Sequence, residues 1–152
     1  MALPAFRVAQ VDGGAAPTTR EYVTSAAQTF SRGDVVRLLA AGTVSEAVDD
    51  ETTALGIAAA DADVGNPIPV IEFVAGMVFS AANSGDAFAV DDKGDLCSLN
   101  VAAGTHTVVV GTAGNGLFKI IGNDATDSSR VLVACVSAQS QAPSMGAVAA
   151  PD

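Results

Sequence analysis

Tryptophan is absent from this chain, tyrosine and histidine occur once each, and aromatic residues make up 5% of its 152 positions. Sugar-binding clefts are usually floored by aromatic rings, and the material for such a floor is missing. A single histidine, His106, excludes zinc sites built from several imidazoles. The two cysteines, Cys97 and Cys135, are far apart in sequence and form no Cys-x-x-Cys pair. Two free, buried, apolar thiols are expected, with one disulfide as the alternative. A site made of Cys97, Cys135 and His106 would still need a fourth ligand. Basic residues are also scarce: seven Lys and Arg stand against seventeen Asp and Glu, for a net charge of −10. That field repels phosphate backbones and anionic membrane surfaces, so neither nucleic acid nor membrane is an expected partner. No apolar run is long enough and free of breakers to span a bilayer. The N-terminus has no basic segment followed by an apolar stretch and a small-residue cleavage site, and the expectation is synthesis in a cytoplasm.

What the chain does have is a succession of short β-branched runs bounded by Gly, Asp, Asn or Ser. Val35-Val36-Arg37-Leu38 follows the turn Ser31-Arg32-Gly33-Asp34, and later come Leu55-Gly56-Ile57, Leu117-Phe118-Lys119-Ile120-Ile121 and Val131-Leu132-Val133-Ala134-Cys135. These are strands with tight connections, and no helical period competes with them. The fold class is therefore all-β, in one domain.

The region from Tyr22 to Leu39 reads as two strands joined by the turn at Ser31–Asp34. Ile68 to Phe79 reads as the longest strand, with Gly76 marking a bulge or bend. Ala87–Val90 and Asp95–Leu99 flank Asp91-Asp92-Lys93-Gly94 as a hairpin, and the runs 117–121 and 131–137 pair across a polar loop. Residues 1–19 read as an extended N-terminal arm. Leu3, Phe6, Val8 and Val11 follow no steady period there, and Pro4, Gly13, Gly14 and Pro17 break any regular element. Such an arm either waits for a partner's surface or adds a strand to its own domain. The body covers residues 20–137, and the Ala, Gln, Ser and Pro-rich tail 138–152 is expected to be flexible.

The motifs carry little chemistry. Arg32-Gly33-Asp34 matches the integrin-binding tripeptide, but at this position it serves a turn into a strand. The Asp91–Asp95 run lacks the alternating acids and terminal Glu of a calcium loop. Gly111-x-x-Gly114-x-Gly116 leads into a strand rather than a helix and has no Lys-Ser or Lys-Thr for phosphates. No Gly-x-Ser-x-Gly elbow supports a Ser-His-Asp triad. No catalytic residue, cofactor or metal ligand is assigned.

The order of Phe30-Ser31-Arg32-Gly33-Asp34-Val35-Val36, Leu55-Gly56-Ile57-Ala58 after an acidic loop, and Val74-Ala75-Gly76-Met77-Val78-Phe79 resembles that of tailed-phage capsid decoration (cement) proteins. The closing pair Gly116–Ile121 with Arg130-Val131-Leu132-Val133 completes the likeness, which extends over Tyr22 to Ser137 and is one of strands and turns. The resemblance implies a small β-barrel or β-tulip-like domain that binds the outer surface of an expanded capsid and stabilises it against internal DNA pressure. It implies the major capsid protein as partner, a homo-oligomer with a trimer favoured, and a virion location. N-terminal arms of that family reach onto the shell, which makes Leu3, Phe6, Arg7 and Val8 the capsid-contact candidates by position. The competing expectation is a non-enzymatic β-barrel binding module, either an adhesin or head fibre, or a carrier-type domain with Lys93 at its turn.

Overall fold

A computed structural model describes residues 4–10, 19–25, 29–62, 65–74, 77–114, 116–136 and 139–142. The strands in chain order are β1 (Phe6–Gln10), β2 (Thr19–Val23), β3 (Val35–Leu38), β4 (Val44–Glu46), β5 (Gly56–Ala58) and β6 (Pro67–Glu72). They continue with β7 (Val78–Ala82), β8 (Leu96–Ala102), β9 (Thr105–Val109), β10 (Phe118–Asn123) and β11 (Arg130–Cys135). No α-helix occurs among the described residues; a 3₁₀ turn spans Val90–Asp92. The all-β class is shown.

The strands form two antiparallel sheets, ordered β1-β7-β11-β10-β8-β9 and β2-β6-β5-β3-β4. Neither sheet closes into a barrel, which corrects the barrel expectation. Both curl toward closure: Thr24 after β2 bridges Val44 of β4, and Asn83 after β7 bridges Val108 of β9. Alternation decides which residues face inward. On β10, Phe118 and Ile120 are buried while Lys119 and Ile121 are exposed. The two inner faces share one apolar cluster. At its centre the rings of Phe6 and Phe118 lie 5.1 Å apart and those of Phe73 and Phe79 5.3 Å apart, the latter edge to face. Such pairs add to the area term of burial in a core otherwise made of Val, Ile, Leu and Ala.

The expected pairing of β10 with β11 is present, with a register shift between Ile120 and Gly122. Three other strand readings are corrected. The long strand from Ile68 to Phe79 is two strands, β6 in one sheet and β7 in the other. Phe73, between them, turns inward and is fully buried, so the chain crosses the core while its apolar pattern continues without interruption. The strands on either side of the Ser31–Asp34 turn do not pair: β2 lies beside β6, held by Tyr22 Oη donating to Glu72 (2.8 Å) and by the Arg20–Glu72 ion pair (2.9 Å). Ala87–Val90 forms no strand, so Lys93 follows the 3₁₀ turn instead of sitting between paired strands. Gly76 lies outside the described residues.

Of the two readings of the N-terminal arm, a wait for a partner's surface or a strand added to its own domain, its described part takes the second, and the described part of the C-terminal tail is likewise built into the body. β1 pairs with β7 in antiparallel register, Phe6 opposite Ala81, and Phe6 is 1% exposed. Near the C-terminus, Ser140 bridges Ala54, and the Gln141 side chain both accepts from the Leu38 amide (2.8 Å) and donates to the Leu38 carbonyl (3.0 Å). The amide group thereby acts as a surrogate strand partner for β3. The remainder of both segments, Leu3 included, lies outside the described residues.

The cysteines are free and buried. Cys97 of β8 and Cys135 of β11 both stand opposite Phe118, on the two flanks of β10. Two strand spacings separate them, about 9–10 Å, beyond the roughly 7 Å over which a disulfide can reach. Burial pushes both thiols up to about 12, which keeps them protonated and unreactive at neutral pH.

Candidate functional site

The densest group of titratable side chains joins the edges of the two sheets. His106 lies on β9, the edge strand of the six-stranded sheet, and is 0% exposed. Glu46 lies on β4, the edge strand of the five-stranded sheet, and Asp34 immediately precedes β3. Their donor atoms all fall within 4.8 Å of one another.

The turn that delivers Asp34 depends on glycine. Gly33 has φ +91°, and a Cβ there would run into Pro4 and stand 2.9 Å from the Phe6 carbonyl oxygen. With no side chain in the way, the Phe6 amide donates to the Gly33 carbonyl (3.1 Å), and the N-terminal strand packs directly on the turn. The Ser31 amide donates to Asp34 Oδ2 (2.9 Å), which draws the carboxylate inward. Asp34 is 5% exposed, so the Arg-Gly-Asp tripeptide does not present its acid to a receptor.

The hydrogen bonds fix the state of His106. The Val35 amide donates to Nδ1 (3.2 Å), so in the neutral ring the proton resides on Nε2. Nε2 then donates to Glu46 Oε1 (2.8 Å) and lies 3.7 Å from Asp34 Oδ2. Two carboxylates share one N–H. Burial pushes Asp34 above the ordinary carboxyl range, and the nearby Glu46 and Asp61 charges add to this against the Ser31 amide and His106. Asp, Glu and His are also a donor set for a divalent cation. That use requires a lone pair on Nε2 and hence a proton on Nδ1, directly facing the Val35 N–H. Histidine ligands normally turn their second nitrogen toward an acceptor, and here it meets a donor. The geometry suits a proton rather than a metal ion.

A second buried polar network lies on the six-stranded sheet. Arg130 is 5% exposed and donates to Ser80 Oγ (2.8 Å), to the Ser80 carbonyl (2.7 Å), and to the carbonyls of Pro4 (3.0 Å) and Ala5 (3.1 Å). It thereby fastens the start of β1 to β7. Ser80 in turn donates to Asp124 (2.6 Å), which also accepts from the Thr126 hydroxyl (2.7 Å) and amide (2.9 Å) and pairs with Arg7 at 3.4 Å. These donors, the Ser80 hydroxyl foremost, hold the Asp124 carboxyl well below the usual carboxylate range. A recess of about 400 Å³ connects the two networks, lined by Asp34, His106 and Arg130 together with Pro4, Arg32 and Thr105.

The acidic loop at 49–51 supplies further fastening. Asp49 accepts from the Val101 amide (2.9 Å), and the Asp50 amide donates to the Leu99 carbonyl (2.9 Å), tying this loop to β8. Glu51 folds back to accept from the amides of Val48 (3.1 Å) and Thr52 (3.2 Å).

The candidate contact residues are divided by this arrangement. Phe6, a contact candidate by position, is core and 1% exposed. Its neighbours Arg7 and Val8 are half-buried on the edge strand. The partnership of His106 with Asp34 and Glu46 was missed. His106 lies 60 residues from Glu46 and further still from Asp34, and no local spacing announces the partnership. Cys97, Cys135 and His106 form no cluster among the described residues. No protein-family model matches the chain, and no curated protein matches it.

Proposed function

We propose that this chain is a capsid decoration protein, which binds the outer surface of an expanded phage capsid and holds neighbouring shell subunits together. The reading rests on the resemblance in strand and turn order. The structural observation that supports it best is the placement of β1. Among the described residues this strand is at the edge of its sheet, with β7 as its strand partner and the Phe6 amide on the Gly33 carbonyl. Its backbone is held by Arg130 and Gly33 at the N-terminal end, while Arg7 and Val8 keep part of their surface. A firmly anchored edge strand offers unpaired backbone groups and side chains to an extended segment of another chain. The partner is the major capsid protein, several copies of this chain act together as a homo-oligomer with a trimer favoured, and no reaction is performed. Many weak contacts repeated on a symmetric lattice then resist the outward pressure of packaged DNA. The acidic body avoids released DNA.

The competing modules have less support. The Asp34 carboxylate of the adhesion tripeptide is buried, and Lys93 lacks the paired strands that display a carrier lysine. The test uses particles. Capsids stripped of this protein should release DNA at lower temperature or under milder osmotic shock. Adding the purified protein to expanded shells should restore resistance. Stripped particles as robust as complete ones would overturn the reading.

A further inference from the structure

We propose that the Asp34–Glu46–His106 cluster is an acid-strengthened clasp between the two sheets, in which a proton taken from solvent onto Asp34 tightens the join between β9 and the β3–β4 edge. The inference does not depend on the proposed function.

Asp34 and Glu46 bring two carboxylates to within 4.8 Å of His106 Nε2 and of each other. In the neutral cluster a single N–H lies between them, and it is already engaged at 2.8 Å by Glu46. Asp34 retains only the Ser31 amide. A buried and a half-buried carboxylate this close resist being ionised together. Acidification can relieve them at the ring or at a carboxylate. The ring is disfavoured, because a proton on Nδ1 would face the Val35 N–H and leave both donors without an acceptor in a fully buried place. The carboxylate remains. Protonated Asp34 removes one negative charge and becomes a donor beside Glu46, so the repulsion across the sheet edges becomes attraction.

The other charges near Asp34 do not cancel this effect. Asp61, which accepts from the Arg32 amide, adds to the negative field. Arg130 faces the same recess, but its hydrogen bonds go to carbonyls and to Ser80. Arg32 lines the recess beside Asp34 as an exposed residue, where solvent screens its charge. The recess also gives protons a route to Asp34 and His106.

The sign follows from linkage. A carboxyl raised in the folded state contributes its stability fully below its unfolded value near 4, and that contribution is lost as pH rises through the folded value. Acid should therefore strengthen the fold in the mildly acidic range, where most proteins begin to weaken.

The test compares the full chain with Asp34→Asn, which is neutral at every pH and keeps an oxygen for the Ser31 amide. Urea unfolding of both should be followed between about pH 7.5 and about pH 4.5. The variant should have the higher midpoint at the upper pH, and the two midpoints should converge as pH falls. In parallel, carbon NMR of the Asp34 carboxyl in the natural chain should give a titration midpoint above the ordinary aspartate value of about 3.9. This second measurement needs no variant to fold. A midpoint at or below that value, or a difference between the two proteins that stays constant with pH, would overturn the proposal.

Discussion

Asp34 and Asp124 are both little exposed, 5% and 8%, but Asp34 lies the deeper in the protein, and their carboxyls move in opposite directions. Asp124 sits among donors: the Ser80 hydroxyl, the Thr126 amide and hydroxyl, and Arg7. Asp34 has one amide and a second carboxylate for company. Burial alone raises a carboxyl, and enough well-placed donors reverse it. The difference also matches what each region joins. The Asp124 network fastens β1 within one sheet and is stabilising when ionised. The Asp34 cluster spans two sheets and is improved by a proton. Sign follows for each. Asp124 contributes stability that is present above the unfolded value near 4 and is lost as pH falls through its depressed folded value. Asp34 behaves in the opposite sense, so the two regions together place the stability maximum in mild acid.

The largest expected effect comes from disabling the donor-rich region at Arg130. Arg130→Leu keeps apolar volume but removes the guanidinium donor from the carbonyls of Pro4, Ala5 and Ser80 and from the Ser80 hydroxyl, with Ala5 keeping the Ala82 amide. Losing these bonds should together cost on the order of 3 kcal/mol. Urea unfolding would measure it. Hydrogen exchange would localise it, because the Ala82 amide, bonded to the Ala5 carbonyl, should lose protection before β10 does. A cost no greater than that of an ordinary surface substitution would mean that β1 is held by Phe6 packing alone.

Much of this comparison was not readable from the chain. The short β-branched runs announced the strands, and the adjacent pair β10 and β11 was correctly matched, because both members and their turn lie within one local stretch. β6 and β7 fused into one expected strand because Phe73 and Met77 continue the apolar pattern while the backbone passes from one sheet to the other. Phe6 appeared to lack a home because the strand that houses it, β7, begins more than seventy residues later. His106 had the same difficulty, since Glu46 is 60 residues away. Local spacing reports local structure, and a fold in which most contacts are long-range hides its polar clusters from such a reading. The Ser31–Asp34 turn was legible; that it turns an acid inward was not, because His106, which faces that acid, lies on β9, far along the chain.

A smaller effect should follow from making Asp124 more like Asp34. Thr126→Val removes the hydroxyl donor at 2.7 Å and leaves the amide in place. The loss should be about 1 kcal/mol at neutral pH. The acid limb of the stability curve should also begin at a higher pH, because the folded carboxyl moves back toward its ordinary value. Unfolding curves taken at several pH values below about 5 would reveal the change. An unaltered acid limb would assign the depression to Ser80, the Thr126 amide and Arg7.

The smallest effect should follow from the reverse substitution, which makes Asp34 less isolated. Glu46→Gln removes the neighbouring charge, keeps an oxygen for His106 Nε2, and leaves the burial of Asp34 unchanged. Stability at neutral pH should move by less than about 1 kcal/mol, because the charge removed is one contribution among several. The clear readout is the Asp34 titration by carbon NMR. Its midpoint should fall relative to the natural chain yet remain above the ordinary aspartate value, since burial is the larger cause of its displacement and is untouched. A midpoint that drops all the way to the ordinary value would show that the paired carboxylate, and not burial, holds the proton on Asp34. One that does not move would show that Glu46 is bonded to His106 too completely to repel it. Either result would redraw the contrast between the two acids in terms of which neighbours matter, beside the burial that raises one and the donors that lower the other.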